Sequence, residues 1–197
     1  MKSLYSFIVK PLNNRYDNIK KVGDVDLVIN TSIEDHQFIS KKAVVVSTPA
    51  AYNTKINIGD EVYIHHNIFR RWYDQKGRER NSSTYFKDDL YFVSPEQIYM
   101  YNLKCHLNYC FIKPLKNQGF LNNRKEQPNI GIVKYANKTL EALGINPGTL
   151  ITFTPNSEFE FIIDGERLYC MKSNDIALTH EYQGNEEENN PSWAQSH

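Results

Sequence analysis

The residues that could do chemistry fall into a few short groups. His65-His66 offers two imidazoles, and Cys105 and Cys110 offer two thiols with four residues between them. A structural zinc site takes two such ligand pairs, and neither group has a second pair. Neighbours on a strand point to opposite faces, so His65-His66 is also poorly placed to chelate one ion. Cys105-His106 has the residue types of a nucleophile and its base, yet chain neighbours seldom face each other as that chemistry requires. The carboxylate pairs Asp60-Glu61 and Asp88-Asp89 sit at turns or strand starts, where solvated acids are the common case. No Gly-rich loop followed by Lys-Ser/Thr is there to cradle a phosphate. The expectation is a protein that is not an enzyme and has no metal or other cofactor.

One segment carries a binding signature. In Phe69–Arg80 the cations Arg70, Arg71, Lys76, Arg78 and Arg80 interleave with Phe69, Trp72 and Tyr73. Charge plus stacking surfaces is the mixture that holds single-stranded nucleic acid. Against it stand Asp74, Glu79, Asp88 and Asp89, and a chain in which 23 Lys+Arg balance 23 Asp+Glu. Affinity for a phosphate backbone scales with cationic contacts, so a neutral chain makes nucleic acid the weaker reading. No apolar run approaches the ~20 residues that cross a bilayer, and Phe7-Ile8-Val9 is stopped by Lys10-Pro11. No membrane partner is expected. Three cysteines, an odd number without metal-site spacing, fit plain thiols in a reducing cytoplasm.

The elements that position these groups are mostly strands. Tyr and Phe are abundant, which favours extended structure. Strands are predicted at Tyr5–Leu12, Lys42–Ser47, Glu61–His66, Leu90–Val93, Gln97–Tyr101, Tyr109–Leu115, Gly131–Tyr135, Leu150–Thr154, Glu158–Ile163 and Arg167–Met171. Asp164-Gly165 between the last two is a hairpin signal. The best helix is Asn137–Leu143, closed by Gly144. Many short strands at this spacing suggest a small barrel or sandwich.

The chain also resembles itself. Lys10-Pro11-Leu12 and Lys113-Pro114-Leu115 lie 103 positions apart, each after an apolar strand. Ile58–Ile64 reads like Asn146–Thr152, with Gly59 and Gly148 at an offset of 89, and Val93–Ile98 like Met171–Ile176 at 78. The order is kept while the offset shrinks by 14 and then 11, as expected of one unit written twice with two loops shortened. The first copy has a long polar loop, about residues 13–41, whose middle reads Val25-Asp26-Leu27-Val28-Ile29-Asn30-Thr31. An aliphatic triplet in such a loop is either a short strand covering the barrel or a recognition segment that orders on a partner.

Together these motifs resemble the GroES-like co-chaperonins, the chaperonin-10 family, in a tandem two-domain form. The resemblance rests on Phe7–Leu12, on the loop triplet followed by Thr31-Ser32, and on Ala43-Val44-Val45-Val46. It rests further on Ile58-Gly59-Asp60-Glu61-Val62 and on the endings Val93–Ile98 and Ser173–Ile176. It implies two small tandem β-barrels, one over 1–103 and a shorter one over 104–182; the polar, acidic 183–197 that follows reads from its composition as a disordered tail. It also implies a ring-shaped homo-oligomer that caps a GroEL-like chaperonin, the partner hydrolysing the ATP. Leu27, Val28 and Ile29 would be the chaperonin-binding residues of a mobile loop. Phe69, Arg70, Arg71, Trp72 and Tyr73, in a hairpin enlarged over about 65–90, would be rim or roof contacts. The sequence departs from the family in three places, the enlarged hairpin being one. Val25-Asp26 stands where the family has a Gly pair, and Lys116–Asn129 of the second copy holds no comparable triplet. The other function the residues leave open is an assembly protein that reuses the barrel.

Overall fold

The computed structural model describes residues 3–16, 19–22, 25–28, 35, 38–117, 126–181 and 186–196, with the backbone alone for 19–22, 25–28 and 196. The protein is mainly β, with several antiparallel sheets. It divides into two compact units, Met1–Asn102 and Leu103–His197.

In the first unit, strands β1 (Phe7–Pro11), β4 (Lys42–Ser47), β5 (Glu61–Ile64), β8 (Tyr85–Lys87), β9 (Leu90–Val93) and β10 (Ile98–Tyr101) form the main sheet. Their order is β10-β5-β4-β1-β9-β8. Two small ladders stand apart from it: β2 (Ile19–Val22) with β3 (Val25–Val28), and β6 (Arg71–Tyr73) with β7 (Glu79–Asn81). The second unit has β11 (Lys104–Cys105), β12 (Tyr109–Lys116), β13 (Glu126–Tyr135), β14 (Leu150–Phe153), β15 (Phe159–Ile163), β16 (Glu166–Lys172) and β17 (Ile176–His180). Its sheet runs β15-β16-β12-β13-β14-β17. Among the described residues no edge-to-edge pairing closes either sheet.

The two main sheets repeat one topology. Read from the other end, the second sheet is β17-β14-β13-β12-β16-β15, which places β12 where β1 stands, β13 for β4 and β16 for β9. The registers repeat as well. Phe7↔Val93, Ile8↔Phe92 and Val9↔Tyr91 correspond to Cys110↔Met171, Phe111↔Cys170 and Ile112↔Tyr169. On the other side Val9↔Val45, Lys10↔Val44 and Pro11↔Ala43 correspond to Ile112↔Val133, Lys113↔Ile132 and Pro114↔Gly131. A bulge falls between Ile8 and Val9 in one copy and between Phe111 and Ile112 in the other. A one-residue slip would turn every core side chain outward, so matching registers mean matching cores.

The turns repeat too. Gly59 and Gly148 have φ of 92° and 94°, and their amides donate to Val45 and Val133 carbonyl oxygens, both at 2.8 Å. Only a residue without Cβ takes that backbone without strain. Gln97 Oε1 accepts from the Ser94 amide, and Asp175 Oδ2 accepts from the Lys172 amide at the equivalent place.

The cores follow from the two-residue period of the strands. In β4, Ala43, Val45 and Ser47 point inward and alternate with half-exposed Lys42, Val44 and Val46. With Phe7, Val9, Val62, Ile64, Phe69, Tyr91 and Ile98, Ala43 and Val45 make the first core. Cys110, Ile112, Val133, Ile151, Phe153 and Met171 make the second. Each large aliphatic or aromatic side chain so buried contributes roughly 1.5–3 kcal/mol. The predicted helix forms as α1 (Lys138–Ala142). Asn137 caps it by accepting from the Leu140 amide at 3.1 Å, and donates to the Tyr109 carbonyl and Ser173 hydroxyl oxygens. Leu140 is its buried anchor, and Gly144 at φ 78° follows its end. Among the described residues no helix is long and apolar enough to cross a membrane.

Where the sequence predicts a disordered acidic segment over 183–197, residues 186–196 lie along the second unit. Glu188 bridges Leu115, Glu187 and Glu188 pair with Lys116 and Lys113, and Ala194 is fully buried. Acidic composition alone cannot reveal that two lysines face the segment.

Gly131 holds the tightest position in the second sheet, since a Cβ there would meet Ile112 Cγ2 at 2.5 Å and the Lys113 carbonyl oxygen at 2.6 Å. Gly131→Ala is expected to destabilise the second unit by about 1–3 kcal/mol, read from urea denaturation. An unchanged midpoint would show that β12 and β13 are not packed this closely.

Candidate functional site

The described residues among the predicted contacts lie in two places, both in the first unit. Leu27 and Val28 belong to β3, whose partners in β2 give the register Ile19↔Val28, Lys20↔Leu27, Lys21↔Asp26 and Val22↔Val25. Ile29 lies outside the described residues. The ladder stands at the far end of an excursion whose neck is well defined. Tyr16 bridges Ile39, and the Ser40 amide donates to the Arg15 carbonyl oxygen at 3.1 Å. Tyr16 and Ile39 are buried in the first core. The loop therefore leaves the sheet and returns at one fixed point.

The enlarged hairpin is built as β6 and β7, with Arg71↔Asn81, Trp72↔Arg80 and Tyr73↔Glu79 facing each other. Phe69 differs from its predicted role as a surface contact. It is fully buried and packs edge-on against Tyr91, ring centroids 4.8 Å apart, because its place at the hairpin base points it into the core. Arg70 is exposed, as are Trp72 and Tyr73. Arg71 pairs with Glu79 at 3.0 Å and lies over the Tyr16 ring at 4.6 Å. Arg78 and Arg80 both reach Asp74 Oδ2, at 3.1 and 3.0 Å. Three of the hairpin's cations are thus bound to its own carboxylates.

Arg15 was not visible as a site residue in the sequence. Its guanidinium donates to the Phe69 and Arg70 carbonyl oxygens and to Asn81 Oδ1, and sits 5.3 Å from the Tyr91 ring centre. The Tyr16 hydroxyl accepts from the Arg71 amide at 3.0 Å. Two adjacent residues at the loop neck therefore staple the hairpin base, more than 50 positions away in sequence. No local pattern announces such a contact.

The remaining chemical groups have structural surroundings. His65 and His66 do not splay apart as strand neighbours would, since a turn begins at His66; their rings stack with centroids 4.4 Å apart. His65 Nδ1 accepts from the Asn67 amide, and burial, then the nearby Lys41, lowers its pKa. Among the described residues no three His, Cys, Asp or Glu gather as metal ligands. The Cys105 thiol donates to the Tyr135 carbonyl oxygen at 3.4 Å, and burial pushes its pKa up to about 12. Cys110 and Cys170 are buried and shifted upward as well. Asp60 Oδ2 accepts from the Asn57 amide within a turn. Asp88 and Asp89, both at positive φ, form the β8–β9 turn, where Asp89 accepts from the Tyr91 hydroxyl.

No family model matches the chain, and no curated protein matches it.

Asp74 is held below its ordinary value of 3.8, first by the Arg78 amide and then by the Lys76 amide and the Arg80 and Arg78 guanidinium groups. A depressed folded pKa contributes order that is full above the unfolded value and is lost as pH falls through the folded one. Amide signals of Lys76 and Arg78 should therefore shift together on acidification, below the ordinary carboxylate range. In Asp74→Asn that transition should vanish; its persistence would mean that another group orders the turn. The thiols give a second check. In the native chain all three cysteines should react with a disulfide reagent at pH 8 far more slowly than after denaturation, because thiolate is the reactive form. Rapid native labelling would contradict their burial.

Proposed function

We propose that the chain is a GroES-like co-chaperonin: a cytoplasmic, non-enzymatic ring of tandem small β-barrels that caps a GroEL-like chaperonin. Leu27, Val28 and Ile29 are the contact residues, and the partner hydrolyses the ATP. The barrels correspond to 1–103 and 104–182, each built on one main sheet. The observation that carries this reading is the excursion between β1 and β4. Its neck is fixed at Tyr16 and Ile39, and it holds the aliphatic stretch in a ladder outside the main sheet.

A two-stranded ladder alone in water is marginally stable. Burying its aliphatic residues in an apolar groove would supply what it lacks, at the cost of ordering the loop. One such loop binds weakly, and several on one ring raise the effective concentration into tight but releasable binding. The nucleic-acid alternative draws less support, since Arg71, Arg78 and Arg80 are engaged by Glu79 and Asp74. Exposed Trp72, Tyr73 and Arg70 suit a protein contact at the ring's roof or a neighbouring subunit.

Native mass spectrometry of the chain mixed with a bacterial-type chaperonin, with and without ATP, tests the reading. A nucleotide-dependent complex should form, and Leu27→Asp with Ile29→Asp should abolish it without changing the chain's own assembly. An oligomer that never associates, with this chaperonin or with that of its own host, would leave the assembly reading in its place.

A further inference from the structure

Strand β12 is hydrogen-bonded on both sides only as far as Ile112, where its pairing with β16 ends at Tyr169. Beyond that point it continues along β13 through Pro114 and Lys116, and its other edge is free of β16. Pro114 has no amide hydrogen, so this half-edge offers one acceptor, the Pro114 carbonyl oxygen, and one donor, the Lys116 amide. Segment 187–189 takes both. The Asn189 amide donates to the Pro114 oxygen and the Lys116 amide to the Glu187 oxygen, each at 2.8 Å, about an antiparallel bridge between Leu115 and Glu188.

Each side chain of the segment is also read. Lys113 Nζ holds Glu188 at 2.8 Å, and Lys116 Nζ holds Glu187 at 3.2 Å. Asn189 Nδ2 donates to Glu126 Oε1 at 2.7 Å. Asn190 reads the β15–β16 turn twice, donating to the Gly165 carbonyl oxygen at 3.0 Å and accepting from the Arg167 amide at 3.1 Å. Arg167 is itself held by Glu160, Glu126 and the Tyr169 hydroxyl, contacts made within the sheet and not with the segment. The segment gives little to the core in return. Of residues 186–195 only Ala194 is buried. Backbone pairing on a free edge with side-chain readout is how a sheet takes an added peptide strand.

We infer that the Pro114–Lys116 edge, walled by Lys113 and the Gly165–Arg167 turn, is a binding site for an extended acidic peptide of the form Glu-Glu-Asn-Asn. The chain's own 187–190 occupies it in cis as a displaceable strap. The cis occupant sets the ligand's chemistry: two carboxylates, a strand backbone and two Asn amides. Its tether gives an effective concentration on the order of mM, which a competing peptide must overcome.

The test uses the full chain carrying Glu188→Lys and Asn190→Ala, which releases the strap. The probe is a fluorescein-labelled peptide of residues 186–197. Anisotropy should show saturable binding at least about tenfold tighter than to the parent chain. An Asn190→Ala change in the probe, or Lys113→Glu in the protein, should weaken it by about tenfold. No saturable binding to the folded variant, or equal binding to parent and variant, would overturn the inference. A chain ending at Asn185 repeats the measurement should the double variant fail to fold. Hydrogen exchange on the parent gives an independent readout: the Lys116 and Asn189 amides should exchange well before those of the β12–β16 ladder. Equal protection would make the segment a fixed part of the fold and end the proposal.

Discussion

Each sheet depends on one strand that is paired on both sides and then, at a proline, on one side only. β1 is flanked by β9 and β4, and β12 by β16 and β13. The ladders to β9 and β16 stop at Val9 and Ile112, two residues before Pro11 and Pro114. In both copies the pairing to the other neighbour carries on through the proline. Because residues alternate their hydrogen-bonding sides, the missing amide hydrogen falls on the side where the partner has already left. The Leu12 amide, next in line, donates to the Lys42 carbonyl oxygen across the surviving ladder. Proline is tolerated where no ladder bond is lost, and there it also forbids the second partner from continuing. The repeated Lys-Pro-Leu is thus the mark of a strand that changes from central to edge.

From that constraint the insertions follow. With the central registers locked, chain can be added between strands without disturbing them, since the entropy of closing a loop grows slowly with its length. The first unit uses this twice, between β1 and β4 and between β5 and β8. Both additions are tied back to one point. Arg15 and Tyr16 hold the hairpin base through the Phe69 and Arg70 carbonyl oxygens and the Arg71 amide, while Tyr16 and Ile39 shut the loop neck. Loop and hairpin share an anchor, so displacing one strains the attachment of the other.

Much of the fold was legible because it is local or repeated. Lys42–Ser47 and Leu90–Val93 are strands as read, and the offsets of 103, 89 and 78 return in the paired registers, with 88 between β4 and β13. Each signal was a short apolar run, a Gly or Asn turn, or a proline, all of which act within a few residues. What stayed hidden acts across distance. Phe69 reads as one more aromatic in a basic hairpin, and only the fold sends it to Tyr91. His65-His66 reads as strand neighbours, and a turn at His66 stacks them instead. The strand Ile176–His180 escaped notice because its residues are largely exposed and carry no two-residue period. For the candidate contact residues, Leu27 and Val28 were found by an apolar stretch out of place, whereas Arg15 had no comparable anomaly to betray it.

The distribution of satisfied and unsatisfied surface also limits what kind of binding the chain can offer. Three of the five cations in Phe69–Arg80 are paired with that segment's own Glu79 and Asp74, and the thiols are held protonated by burial. Outside the main sheets, besides the β6–β7 hairpin, lie a marginal ladder on a fixed neck and an acidic strap on a half-edge. Each would gain only a few contacts against a partner, and each must be ordered or displaced to do so. Elements of that kind bind weakly alone and release readily. Where such elements are presented in several copies at once, repetition raises the effective concentration, and the binding can still be undone by a modest change in the partner's geometry.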